Sequence, residues 1–164
     1  MKILGIDHVS VTTADIARSL AFYHDLLGIP VRAVGELSGE EIEQMTGVPG
    51  ARLLTADLDL GGGQVLELIE YAGLSEGKAL PLEHAGSGHI GLQVDDVDGL
   101  ALQLVDAAIE VRSEPVTVTE AGDWFGARCM TVLDPDGVAV ELVQRARPTS
   151  GAPDATAAGR ADTL

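Results

Sequence analysis

One cysteine in a chain of 164 residues leaves no intrachain disulfide to form, and Cys129 standing alone fits a reducing compartment. Cys129 reads as a small hydrophobe buried on a strand rather than as a reactive thiol. Basic residues are also scarce: 10 Lys and Arg against 26 Asp and Glu give a formal charge of −16. That lacks the basic footprint of a nucleic-acid binder and disfavours an anionic membrane surface. It disfavours highly anionic substrates too, unless a local cluster of arginines offsets the field. No apolar run approaches the roughly 20 residues of a membrane span. The opening MKILGIDHVSVTT has no basic segment followed by an apolar stretch and a small-residue cleavage site, so a cytoplasmic protein is expected. What the chain does have is 46% hydrophobic content spread along most of its length, enough for a sizeable core. One compact domain, or two half-size modules sharing a core, is the expectation.

Internal repetition comes first. DHVSVTTADIARSLAFYHDLLGIPV (7–31) returns in pattern as GHIGLQVDDVDGLALQLVDAAIEV (88–111). GARLLT (50–55) returns as GARCMT (126–131), and QVLELIE (64–70) as VAVELVQ (138–144). The offsets are 81, 76 and 74 residues, in the same order. Three ordered echoes make the chain an internal duplication.

Each copy reads as strand, helix and three strands, an α+β pattern. In the first, 5–12 alternates as a strand, and Asp15 caps a helix near 16–27 that Gly28 stops. Strands follow near 30–36, 51–60 and 64–71, the last two joined by a Gly-rich turn. The second copy predicts strands near 88–94, 113–118, 127–133 and 138–144 and a helix near 96–109. Asp134-Pro135-Asp136-Gly137 is its turn signal. The segment 37–50 has no partner in copy two and reads as an insertion with a short helix at 39–46. The organisation is thus a first module over 1–71, a linker over 72–87, a second module over 88–145 and a disordered tail over 146–164.

Side chains two apart on a strand share a face. By that parity His8 and Glu67, and in the second copy His89 and Glu141, occupy the face opposite the helix-packing residues. Both glutamates have apolar neighbours on either side in sequence (Leu66 and Leu68, Val140 and Leu142), where an ionised carboxylate needs a partner or a metal. Two imidazoles and two carboxylates at repeat-equivalent places suit one divalent ion: Zn²⁺, Ni²⁺, Co²⁺, Fe²⁺ or Mn²⁺. Four ligands in an octahedral arrangement leave two positions for water or substrate. The other histidines, His24 on the helix and His84 in the linker, are expected at the surface. Arg52 and Arg128 are expected in outward ion pairs, with holding a substrate anion as the alternative. Trp124 and Phe125 either line the cleft mouth or simply pack. Glu36, Glu40, Glu41 and Glu43 read as a solvated face, one of them a reserve base.

IDHVSVTTADIARSLAFYHDLLGI, SGHIGLQVDDVD and DPDGVAVELV together resemble the vicinal oxygen chelate superfamily over about 5–145. That superfamily includes glyoxalase I, methylmalonyl-CoA epimerase, fosfomycin-resistance transferases, extradiol dioxygenases and bleomycin-binding proteins. The resemblance implies tandem βαβββ modules in an open, cup-shaped eight-stranded sheet, with helices outside and the metal on the concave side. The order His, Glu, His, Glu is similar to that of bacterial glyoxalase I; epimerases often carry Gln where Glu67 stands. The insertion at 37–50 and the short ELIEY stretch differ from a typical glyoxalase I glutathione pocket. A metal-dependent isomerase or lyase is therefore expected, acting on a small molecule with vicinal oxygens, with Glu141 or Glu67 moving the proton. The alternatives are an extradiol-type ring-cleaving dioxygenase and a non-catalytic antibiotic-binding protein. A homodimer is expected, because an open cup leaves sheet edges to cover.

Overall fold

The structure, a computed structural model, describes residues 2–73, 79–120 and 122–146. The order is β1 (Val9–Thr12), α1 (Ile16–Leu20), β2 (Val31–Ser38), α2 (Glu40–Thr46), β3 (Arg52–Gly61) and β4 (Gln64–Tyr71), followed by β5 (His89–Gln93), α3 (Val97–Asp106), β6 (Val116–Thr117), β7 (Arg128–Leu133) and β8 (Ala139–Gln144). The eight strands form two open four-stranded sheets of identical topology, β1-β4-β3-β2 and β5-β8-β7-β6. In each, the first strand runs parallel to the last and the remaining pairs are antiparallel.

The duplication extends to single hydrogen bonds. Asp15 accepts from the Ala17 and Arg18 amides and starts α1; Asp96 accepts from Gly99 and starts α3. Glu70 accepts from the Ile16 amide at 2.8 Å, and Gln144 accepts from the Val97 amide at 2.9 Å. The cap and the strand-end acceptor recur at the same offsets as the segments around them.

The first strand, predicted over 5–12, forms only over Val9–Thr12 and leaves His8 just before it, and two further elements differ from their predicted form. The first helix is regular only to Leu20, then widens into a π turn over Ala21–Leu26 before Gly28, whose φ of +73° ends it. The strand predicted near 113–118 shrinks to Val116–Thr117, since Pro115 has no N–H for a ladder; an isolated bridge joins Val111 to Val132. The tail predicted over 146–164 lies, beyond Ala146, outside the described residues. The inserted helix forms as expected, between Gly39 and a left-handed Gly47.

The inner rows of both sheets and the helices share one core. Leu58, Leu66 and Leu68 from the first half and Val97, Leu104, Val132, Val140 and Leu142 from the second are fully buried. Each such leucine contributes about 1.5–3 kcal/mol. Phe22 and Tyr23 meet edge to face at 4.9 Å within it. Polar bonds also lock the halves. The turn from β7 to β8 closes on Asp134, whose Oδ1 accepts from the Asp136 and Val138 amides. Its Oδ2 accepts from the Tyr23 hydroxyl at 2.9 Å, and Asp136 accepts from the Thr13 hydroxyl at 2.7 Å. The turn signal therefore also docks the second half against the first helix. No helix among the described residues is long and apolar enough to cross a membrane.

Candidate metal centre

Register fixes which side chains face together. Ser10 of β1 lies beside Glu67 of β4, and His8 is the residue just before β1 begins. Gly91 of β5 lies beside Glu141 of β8, with His89 in the same row. The His8 Nε2 lies 3.5 Å from a Glu67 oxygen, and the His89 Nε2 lies 3.6 Å from a Glu141 oxygen. The histidine side chains are about half exposed (48% and 52%) and the glutamates less so (21% and 29%). Leu66, Leu68, Val140 and Leu142 are buried on the opposite face. The glutamates thus escape burial: alternation sends their apolar neighbours inward and the carboxylates to the accessible side.

Two ligands held about 2.1 Å from one ion stand roughly 3.0–3.5 Å apart, so each His/Glu pair has the donor types and the spacing of two adjacent ligand positions. Among the described residues, no three His, Cys, Asp or Glu side chains come close enough to enclose an ion. The four residues expected as ligands lie as two separate pairs, His8 with Glu67 and His89 with Glu141. Both histidines line one cavity of about 210 Å³ at the junction of the sheets, with Gln64, Leu66 and Ile90. Asp7 holds the His8 ring from its other side: a carboxylate only accepts, so the imidazole Nδ1–H donates to it at 2.8 Å, and Nε2 is the nitrogen turned toward Glu67.

The two halves are not chemically equal. Across the hairpins, Asp57 stands opposite Glu67 and Thr131 stands opposite Glu141. The GARLLT and GARCMT echoes align Thr55 with Thr131, but Thr55 pairs with Ile69. The slip is two residues, an even number, so faces are preserved and only chemistry changes. The Asp7 hydrogen bond holds the His8 imidazolium above the usual histidine range against its desolvation, and the charges of Glu67, Asp7 and Asp57 reinforce it. The carboxylate overlooked in the sequence is Asp57, and its signal was the alternation in TADLDL, which puts Thr55, Asp57 and Asp59 on one face.

Other expectations resolve simply. Arg52 pairs with Glu36 at 2.6 Å, and Arg128 pairs with Asp98 and donates to Thr117. His24 donates to the Ile29 carbonyl at 2.8 Å on the surface, and His84 is exposed. Cys129 is buried and unbonded, and burial, aided by Glu141, pushes its thiol up and away from reactivity. Trp124 packs against Ala127, Cys129 and Val143, whereas Phe125 is 67% exposed.

Comparison with known proteins adds four findings. Residues 5–142 match the model of the Glyoxalase/Bleomycin resistance protein/Dioxygenase superfamily. An uncharacterised protein of Bacillus subtilis, YwkD, is 30% identical over 148 residues, which cover 88% of this chain and all of that one. A 2-epi-5-epi-valiolone epimerase of an Actinomyces species is 28% identical over 145 residues, covering 85% of this chain and 79% of the epimerase. In fold, the chain is similar to a glyoxalase family protein from Bacillus cereus, with a TM-score of 0.76 at 18% identity over 88% of this chain and 96% of the other.

Proposed function

The chain belongs to the glyoxalase/bleomycin resistance protein/dioxygenase superfamily, and from that premise we propose that it is a metal-dependent isomerase or lyase of the glyoxalase or epimerase type. The observation that carries this reading is the pair of His/Glu couples, His8 with Glu67 and His89 with Glu141, whose histidines face one cavity. In this reading the two modules, 1–71 and 88–145 joined through 72–87, act together, and these four side chains hold one divalent ion between them. Both histidines line the same cavity, which supports their acting on one ion. The similarity to an epimerase supports the isomerase type.

Bound there, the ion supplies Lewis acidity to two neighbouring oxygens of a small-molecule substrate and so acidifies an adjacent C–H. The chain's own residues do the rest. Asp7 orients His8, keeping its Nε2 toward the centre. Glu67 and Glu141 are the proposed proton carriers, accessible enough to exchange a proton with substrate and close enough to their histidines to be held in place. The apolar seam of Leu60, Leu66 and Ile90 around the cavity limits water beside the reacting carbon.

Elemental analysis of the purified protein tests the reading. About one ion per chain is expected, lost in a His8→Ala, His89→Ala double variant; full occupancy in that variant overturns the ligand assignment. Iron together with oxygen uptake on catechols, and no proton exchange on carbonyl substrates, overturns the isomerase class in favour of a dioxygenase.

A further inference from the structure

The face that carries the His/Glu pairs is strongly biased in charge. The rows of β1, β3 and β4 on that face carry Asp57, Asp59 and Glu67 and no Lys or Arg; those of β5, β7 and β8 carry Glu141 and likewise no Lys or Arg. One residue past β8, Arg145 continues the row of Glu141 and Val143. Its guanidinium carbon lies 3.9 Å above the Trp124 ring, and Trp124 itself packs against the cluster of Ala127, Cys129 and Val143, the last two paired across β7 and β8 on this same face. A second effect agrees with that placement: Arg145 and Glu141 act in opposite senses on the Cys129 thiol. Arg18, Arg52 and Arg128 are each tied to a carboxylate, whereas Arg32 on the outer strand β2 and Arg112 before β6 make no ion pair among the described residues but lie off the rows of Glu67 and Glu141. Arg145 makes no ion pair among the described residues; its one polar contact is a 3.5 Å bond from Nη1 to the Asp123 carbonyl, at the limit of hydrogen bonding.

An indole face under a guanidinium holds the plane of the fork while leaving its N–H edges to donate. We infer that Arg145, stacked on Trp124, is a specificity-determining residue that receives an anionic group at the far end of the substrate. The inference rests on the reading above, in which the substrate's vicinal oxygens sit between the His/Glu pairs. At about 3.3 Å per strand residue, Arg145 begins some 13 Å along the sheet from Glu141, before its side chain reaches back. The substrate class is therefore an oxygen-chelating head joined by several atoms to a carboxylate or another anion. The neighbouring carboxylates on the first sheet repel the same tail from the opposite end and so set its direction.

Three probes of equal chain length test this: 2-oxosuberate, with head and anionic tail; 2-oxooctanoate, with head and neutral tail; and suberate, with tail but no 2-oxo head. Trp124 is the only tryptophan of the chain, so its emission reports on the proposed subsite directly, with calorimetry as a second measure on the Zn²⁺-loaded protein. 2-Oxosuberate is expected to shift Trp124 emission and to bind about tenfold more tightly than 2-oxooctanoate, as a charge-assisted bond allows. Arg145→Gln should bring the two within about twofold, and Arg145→Lys should keep part of the preference, with metal content and thermal midpoint unchanged in both. Equal affinity of the two oxo acids for the native protein, an undiminished preference in Arg145→Gln, silent Trp124 emission during calorimetric binding, or no binding of either overturns the inference. If 2-oxosuberate and suberate bind equally while the preference for a charged tail persists, the chelation reading fails and the Arg145 subsite stands.

Discussion

The hydroxyl of Tyr23, on the first helix, donates to Asp134, in the turn of the second half, and both are almost wholly inside the protein. Burial holds the Asp134 carboxyl above its ordinary 3.8, opposed by bonds from the Val138 amide, the Tyr23 hydroxyl and the Asp136 amide. Burial and the Asp134 charge push the Tyr23 hydroxyl far above the usual tyrosine range, so it remains the donor. Tyr23→Phe is expected to cost about 1–3 kcal/mol at pH 7, because it strands a buried carboxylate oxygen. The sign with pH follows from linkage. A carboxyl whose folded pKa is raised contributes stability present below 3.8 and lost as pH rises through the folded value. Removing a bond that lowers the pKa widens that loss. Urea unfolding should therefore show a smaller penalty at pH 4 than at pH 7; an equal or larger one at pH 4 contradicts the assignment.

Asp7 supports His8 from outside the ligand set, and His89 has no corresponding partner among the described residues. Asp7→Asn keeps the side-chain volume and an acceptor for the Nδ1–H, but removes the charge that raises the basicity of His8 as a ligand. Metal affinity is expected to fall about 10- to 100-fold, measured by competition with a chelator. An unchanged affinity would reduce the Asp7 contact to a surface ion pair.

How far these features were legible in the residues varies with the physics behind them. Strand faces were legible because alternation is local: placing His8 and Glu67 on one face needs only the period of two. The π turn over Ala21–Leu26 was not, because the hydrophobic spacing of LAFYHDLL satisfies an α-helix equally well and packing of Phe22 and Tyr23 decides. Pro115 stood in plain view, and its missing donor explains the loss of most of the strand near 113–118. The partner of Glu67 was hidden for another reason. Aligning the repeats by GAR-x-x-T is a statement about ancestry, whereas the hairpin pairs residues by geometry, and the two disagree by one pleat. Arg145 carried no local signal; only the packing of Trp124 onto Val143 shows its position.

The outer edge of the first sheet suggests how copies meet. β2 is eight residues long, exposed throughout, and ends its sheet; Val34 is 70% exposed. A long exposed edge with Val34 and Leu37 among its residues invites a partner strand. A homodimer of twice the 17.0 kDa chain mass is expected by light scattering, with Val34→Lys shifting it to the monomer while the circular dichroism stays unchanged. A native protein that remains monomeric at high concentration, or a dimer indifferent to Val34→Lys, excludes this edge.

The inequality between Asp57 and Thr131 leads to the sharpest test of the chemistry. Glu67 and Glu141 serve in the proposal both as ligands and as proton carriers, and a carboxylate engaged by an ion must loosen before it takes a proton. Asp57 is under no such constraint. It stands across the hairpin from Glu67, where facing Cβ atoms are about 4.5–5.5 Å apart, so it can relay a proton through Glu67 or one water. Thr131, in the corresponding place opposite Glu141, has no carboxylate to offer. Proton exchange should therefore depend on the first half more than on the second. In heavy water, NMR of a 2-oxo or thioester substrate should show deuterium entering at the acidic carbon. Asp57→Asn is expected to slow that exchange about 10²-fold with metal retained, and Glu67→Gln by about 10²–10⁴-fold. Thr131→Ala should leave it within about twofold, since it removes no proton carrier. If Glu141→Gln is the most damaging variant and Asp57→Asn is silent, the proton moves on the other side of the centre, and the acidity around His8 serves only to hold the ion.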